Sequence, residues 1–238
     1  MHPKEKRSHN QYIIFDDSLV DDISSDDFNV ETYRQRGDIE GEALGRGTTY
    51  YIKLHGLDGV LRHYRRGGWV SKLVDDRYWW SGLYKTRSWR EWYLLGRLRD
   101  RDLPVPRAVG ALAIKQGLFY RADLLMEKIP ASDSLSRIVL KQAIDDSLWR
   151  KIGSTLRRFH QRGAYHDDLN AHNILLTNEH DVFLVDFDKG ELRDPQRAWQ
   201  MQNLKRLRRS IDKLKAQNSA LNFSDNDWKT LMAGYTQL

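Results

Sequence analysis

The chain of 238 residues has no cysteine, which excludes disulfides and thiolate metal sites and removes any need for an oxidising compartment. It has only five prolines and no apolar run approaching the roughly 18 residues of a membrane span, so any contact with a membrane is expected to be peripheral. The N-terminus leads into a polar, acidic stretch and offers no signal core. Internal repeats and low-complexity blocks are also missing. Lys and Arg outnumber Asp and Glu by 39 to 33, a formal charge of +6, which favours an anionic partner without choosing among nucleotide, nucleic acid, phospholipid and phosphorylated sugar.

What remains is enough for one compact domain of two lobes, or for two small domains. Residues 1 to about 40, rich in Asp and Ser, read as an adaptable lead-in with an apolar patch at Tyr12-Ile13-Ile14-Phe15. Strand-like segments follow at Thr48 to Leu54 and Val60 to Tyr64, joined by His55-Gly56-Leu57-Asp58-Gly59 as a hairpin turn. Between Thr86 and Arg99, Glu91, Leu94, Leu95 and Leu98 share one helical face, so an acidic residue lies on the buried side. Leu103-Pro104-Val105-Pro106 stops that helix, and strands Val109 to Ile114 and Leu118 to Met126 lead to the connection Glu127-Lys128-Ile129-Pro130. A second helix from about Ser147 to Arg162 carries Leu148, Ile152, Leu156 and Phe159 on one stripe, and Gly163 ends it. Short strands at Ile174 to Leu176 and Val182 to Val185 come next, then a basic helix from Gln196 to Gln217.

The chemistry-bearing stretch is His166-Asp167-Asp168-Leu169-Asn170-Ala171-His172-Asn173, with Asp186-Phe187-Asp188 after the second short strand. Phosphoryl transfer needs a carboxylate beside the attacking hydroxyl and further oxygen ligands for the magnesium that neutralises a triphosphate. Asp168 suits the first task, and Asn173 with Asp186 suits the second. Residue types, order and spacing match the protein-kinase signature, which implies an α+β, two-lobed protein-kinase-like fold: an N-lobe of antiparallel sheet plus helix over 1–127, and a mainly helical C-lobe over 128–238. In that reading His166 belongs to the catalytic loop, chiefly as its brace. Asp188, where the signature has glycine, is a candidate further metal contact.

The nucleotide half is less orthodox. Gly45-Arg46-Gly47 supplies two glycines of a phosphate-covering loop, with Tyr50 in the place of the third. Arg62 stands where a phosphate-anchoring lysine is expected, and Glu91 is its candidate partner. Glu127 and Ile129 would offer backbone groups to adenine, by fold analogy. ATP and Mg²⁺ are the cofactors this implies. Asp167 replaces the arginine that receives a phosphorylated activation loop, and no Ala-Pro-Glu motif follows, so a protein substrate is disfavoured.

Eleven Lys and Arg residues lie between Arg62 and Arg101 together with Trp69, Trp79, Trp80, Trp89 and Trp92. That mixture suits an anionic headgroup, an anionic sugar or nucleic acid, or else it packs a small lobe. Lys205, Arg206, Arg208, Arg209, Lys213 and Lys215, beside the stripe Leu204, Leu207, Ile211 and Leu214, leave open an interfacial helix or a cover for the core.

Gly59-Val60-Leu61-Arg62-His63-Tyr64-Arg65-Arg66-Gly67-Gly68, Leu103-Pro104-Val105-Pro106, Tyr165-His166-Asp167-Asp168-Leu169-Asn170 and Val185-Asp186-Phe187-Asp188-Lys189-Gly190 together resemble the 3-deoxy-D-manno-octulosonic acid (Kdo) kinases of Gram-negative bacteria. The resemblance implies ATP-dependent phosphorylation of the 4-hydroxyl of Kdo on a lipid A precursor. It places the protein peripherally at the cytoplasmic face of the inner membrane, with no nucleic acid and no obligate protein partner. Two rivals stay open on the residues alone: a small-molecule kinase of the aminoglycoside or choline type, or an atypical protein kinase; and a non-catalytic glycolipid- or nucleic-acid-binding module on a kinase scaffold.

Overall fold

The computed structural model describes residues 1–43, 48–65 and 76–237, so Gly45, Arg46, Gly47, Trp69 and the Arg66-Gly67-Gly68 motif lie outside the described residues. The chain divides into two compact units, Met1–Gly96 with Pro106–Lys128, and Arg97–Val105 with Ile129–Leu238.

The first unit is built on one antiparallel sheet. In chain order it comprises β1 (Pro3–Ser8), β2 (Gln11–Asp16), a 3-10 turn at Ser25–Phe28, α1 (Val30–Arg36), β3 (Ile39–Ala43), β4 (Thr48–Leu54), β5 (Leu57–His63), β6 (Tyr78–Trp79), α2 (Arg87–Arg99, whose last three residues belong to the second unit), β7 (Ala108–Gln116) and β8 (Phe119–Glu127). The strand order is β1-β2-β7-β8-β5-β4-β3, with β6 on β8. The β4–β5 turn is tighter than the expected five-residue loop. His55 and Gly56 alone make it, both at positive φ (48° and 83°), and Leu57-Asp58-Gly59 already pairs in the strand. Two positive-φ residues match the twist of the flanking strands, and so the register closes there.

Residues 1 to 40 are structural, which corrects the lead-in reading. β2 pairs along β7 from Gln11↔Ile114 to Phe15↔Gly110. Ile13, Phe15, Val20, Ile23, Phe28 and Tyr33 are buried in one cluster with Ile52, Leu61, Val109, Leu112 and Leu125. Ser24 and Asp27 form a capping box on the 3-10 turn, so the acidic, Ser-rich texture serves backbone capping. Trp89 and Trp92 are fully buried on α2, which removes two of the five tryptophans from any headgroup-binding surface; Trp79 stays 59% exposed.

The second unit is mainly helical: β9 (Ser132–Ser134), α3 (Leu135–Lys141), α4 (Asp146–Gln161), β10 (Ala164–Tyr165), β11 (Ile174–Thr177), β12 (Val182–Leu184), β13 (Glu191–Leu192), α5 (Arg197–Gln217) and α6 (Asp225–Thr236). Leu148, Ile152, Leu156 and Phe159 are buried as their spacing predicts. α4 and α6 touch backbone to backbone: a Cβ on Gly153 would lie 2.0 Å from the Leu231 carbonyl oxygen, and one on Gly234 would lie 2.2 Å from that of Arg150. Leu204, Leu207 and Ile211 of α5 are buried as well, so the stripe covers the core and the interfacial alternative loses its apolar face. No helix among the described residues is long and apolar enough to cross a membrane.

Candidate active site

Within the second unit, the loop between β10 and β11 is held from three sides. His166, 2% exposed, accepts the Asp168 backbone N–H at Nδ1 (3.2 Å). An imidazole accepting at Nδ1 carries its proton on Nε2, which lies 2.9 Å from the Val185 carbonyl and donates to it. Burial lowers the His166 pKa, against the Val185 hydrogen bond and the nearby Asp186 and Asp168, which raise it, so the ring is a neutral brace. Both ring nitrogens are thus committed to the backbone of Asp168 and Val185.

The brace connects the two carboxylate-bearing segments. Asn173, 8% exposed, donates from Nδ2 to the Asp168 carbonyl (2.9 Å), and its own carbonyl accepts from Val185 N–H (3.0 Å). Asp168, Asn173 and the residue preceding Asp186 are thus tied to one another, as the sequence spacing requires. Asp186 follows with φ of +65° in the left-handed region, a conformation that costs a non-glycine residue free energy and is kept where surrounding packing fixes it. That packing is Phe187, 1% exposed, with its ring 4.6 Å from His166 and 6.0 Å from Phe159, centroid to centroid. Asp188 is half-buried in the next turn, which closes with Gly190 N–H donating to the Phe187 carbonyl.

Helix α5 supplies contacts that the sequence did not announce. Asn203 Oδ1 accepts from His166 N–H (3.3 Å), Ser210 Oγ accepts from Ala171 N–H (3.1 Å), and between them the Arg206 guanidinium stands 4.0 Å from Asp168. Positions 203, 206 and 210 lie on one helical face, a 3,4 spacing visible in the sequence but indistinguishable there from an ordinary solvated face.

In the first unit, Arg62 of β5 and Glu91 of α2 meet as a buried pair. Arg62 Nη1 donates to both carboxylate oxygens, at 3.1 and 3.2 Å, and the Tyr64 hydroxyl adds a 2.6 Å bond to Oε2. Glu91 is 1% exposed. A single guanidinium nitrogen bridges both carboxylate oxygens. One residue along β5, His63 Nδ1 contacts Asp123 at 2.6 Å across the β5–β8 register. Burial alone would lower the His63 pKa; the hydrogen bond and charge of Asp123, with Asp76, outweigh it and raise it. At the connection, the N–H groups of Glu127 and Lys128 are committed to the Arg107 and Asp58 carbonyls. No acceptor for the Ile129 N–H occurs among the described residues.

A carboxylate on a braced loop, backed by an amide and a second carboxylate, can orient a hydroxyl and offer oxygen to a cation; it is equipped for phosphoryl transfer and defines the chain as a phosphotransferase of the kinase class. Residues 30–235 match the model of the Lipopolysaccharide kinase (Kdo/WaaP) family, and the chain belongs to that family. It is 45% identical over 203 residues to a protein of Vibrio cholerae serotype O1 named 3-deoxy-D-manno-octulosonic acid kinase, covering 85% of this chain and 86% of that one. Proteins of the same name from Photobacterium profundum and Haemophilus influenzae are 41% and 39% identical, over 95% and 96% of this chain and 95% and 97% of theirs.

Proposed function

We propose that the chain transfers the γ-phosphate of ATP to the 4-hydroxyl of Kdo on a lipid A precursor, in lipopolysaccharide core biosynthesis. It would work peripherally at the cytoplasmic face of the inner membrane, with the first unit as N-lobe and the second as C-lobe of a protein-kinase-like fold. The family and the names of the relatives support the reaction. The observation that supports the site is the hydrogen-bonded set of Asp168, His166, Asn173 and Val185, the last of which directly precedes Asp186.

Asp168 has an exposed side chain and is the group that accepts a hydrogen bond from the acceptor hydroxyl and takes its proton as the new O–P bond forms and ADP departs. His166 holds the loop rigid without competing for that proton. Asn173 spends its amide nitrogen on Asp168, which leaves its oxygen as the hard ligand a magnesium ion favours, and Asp186 supplies a carboxylate beside it. No cluster of three or more His, Asp or Glu side chains suited to a metal occurs among the described residues, so the fit rests on two such oxygens, with Asp188 as a further candidate. Magnesium, when bound, neutralises the triphosphate charge and makes ADP a better leaving group. In the first unit, Glu91 and Tyr64 fix Arg62 as the phosphate anchor, and the loop from Gly45 to Tyr50 is assigned to cover the phosphates.

The direct test is incubation of the purified protein with Mg-ATP and Kdo-bearing lipid A precursor, reading phosphate incorporation beside Asp168→Ala and Asp186→Ala. Transfer that vanishes in both folded variants supports the assignment. Substantial turnover by Asp186→Ala sinks the metal role, and phosphorylation of soluble sugars or protein in place of the glycolipid redirects the acceptor class.

A further inference from the structure

Arg206 is one of seven basic residues on α5. The structure distinguishes it. Arg208 is bound to Asp212 at 2.8 Å and Asp225 at 2.6 Å, and Lys215 donates to the Phe223 carbonyl, so both are engaged structurally. Arg206 has no such partner: the carboxylate nearest to it is Asp168, at 4.0 Å and without a hydrogen bond, and its Nε is buried with no acceptor among the described residues. Its position is nonetheless fixed, because Asn203 and Ser210 on either side of it are hydrogen-bonded to the backbone of the catalytic loop. The aliphatic stem is held, and a guanidinium whose side chain is 40% exposed is presented next to the carboxylate that must meet the acceptor hydroxyl.

A planar guanidinium with unused donors is built to take a carboxylate or phosphate in two parallel bonds. The same neighbourhood contains Asp167, which accepts from the Tyr165 hydroxyl at 3.2 Å, and Arg193, which lies over the Tyr165 ring at 3.5 Å and is paired with Glu191. Tyr165 is thus committed to Asp167 and Arg193 to Glu191, and Arg206 makes no hydrogen bond to any of them. An acceptor whose hydroxyl sits on Asp168 has the rest of its ring within reach of Arg206, and the acceptor of the proposed reaction is a sugar acid. We infer that Arg206 binds the acceptor's carboxylate and so selects an acidic sugar over a neutral one while turning its hydroxyl toward Asp168. This inference rests on the catalytic reading of Asp168 given above.

The test compares two acceptors on the full chain: the Kdo-bearing lipid A precursor, and the same glycolipid with the Kdo carboxylate converted to its methyl ester. The native protein should prefer the acid by roughly 10- to 100-fold in kcat/KM, the range of a hydrogen bond to a charged group. Arg206→Gln should lose that factor on the acid and become indifferent between acid and ester, with the acceptor KM rising and the KM for ATP unchanged. Arg206→Lys should keep part of the preference, because a point charge attracts a carboxylate without matching its two oxygens. An equal loss on both acceptors would show that Arg206 acts through Asp168 or the phosphoryl group, and no loss on either would show a surface arginine; both results overturn the inference. If Arg206→Gln does not fold, the native comparison still decides, since equal turnover of acid and ester leaves no carboxylate for any residue to read. Failure of the catalytic reading looks different: Asp168→Asn should depress both acceptors by the same factor and leave their ratio intact, and full activity in that variant would refute the role of Asp168 alone.

Discussion

In the first unit two buried carboxylates are set against basic groups, Glu91 beside Arg62 and Asp123 beside His63, while Asp16 is held by the His2 and Ser18 N–H groups. In the second, two imidazoles are held neutral by burial, His166 under the catalytic loop and His160 between Trp199 and Tyr235. The contrast follows from what each region has to present. Under the proposed reaction, an anchor for phosphate would need a permanent charge in a fixed place, and a buried carboxylate clamps the Arg62 guanidinium. A loop that positions a proton acceptor is served better by a brace that does not itself change charge near neutral pH. Charged burial is costly to interrupt, whereas neutral burial is costly mainly to acidify.

The largest expected effect is on the second unit's chemistry. Asp168→Asn should lower kcat by roughly 10²- to 10⁴-fold, the usual span for a positioned general base, with no change in the thermal midpoint. A variant that loses activity only by unfolding would erase the distinction between brace and base. Next comes the first unit's charge clamp: Glu91→Ala takes the buried carboxylate away from Arg62 and the Tyr64 hydroxyl and should cost about 3–5 kcal/mol in urea unfolding. A loss under 1 kcal/mol would mean that the pair is wet and the contrast overstated. Gly153→Ala tests sterics instead of charge. The added methyl would run into the Leu231 carbonyl, so α4 and α6 must separate, and a loss of stability of at least about 1–3 kcal/mol is expected from overpacking.

The pH dependence should divide the two units, with smaller effects. Burial lowers His160 to about 4, against a hydrogen bond to Asn203 that raises it. The unfolded chain takes up that proton near 6.5, so stability should fall as pH drops from about 6.5 toward 4, and His160→Phe should flatten this acid limb. His63 is raised in the folded state, so its contribution is complete below about pH 6.5 and disappears as pH climbs through the folded value. His63→Gln should flatten the alkaline side. Denaturant titrations of the two variants across pH 4 to 9 that bent in the same direction would break the comparison.

Some of this was legible beforehand and some could not be. The Asp168, Asn173 and Asp186 spacing, the Glu91 face and the α4 stripe came through because each depends on local periodicity or on a loop closed by a short hairpin. Arg62 and Glu91 are 29 residues apart, and they were named as partners because the kinase signature expects a basic residue on that strand to pair with a helix glutamate. β1 could not be seen: Pro3–Ser8 is an exposed edge strand with no apolar alternation, and it exists because β2 offers it a ladder. Trp89 and Trp92 stand among arginines in sequence, which left surface anchoring and packing both open; their complete burial on α2 decides for packing. The α5 contacts to the loop were hidden for another reason. Asn203 and Ser210 pair with backbone atoms, and a backbone partner leaves no trace in the residue types.

The close approach of α4 and α6 has a consequence for biosynthesis. α4 leads directly into the strand that precedes the catalytic loop, and its packing partner is made some seventy residues later, at 225–236. On the ribosome the apolar flank of α4 therefore waits several seconds for its cover, at about 5–20 residues per second. The second unit should consequently stay vulnerable to proteases and receptive to chaperones after the first unit's sheet has most of its strands, and a strong pause in translation before residue 225 would lengthen that window without altering a single amino acid.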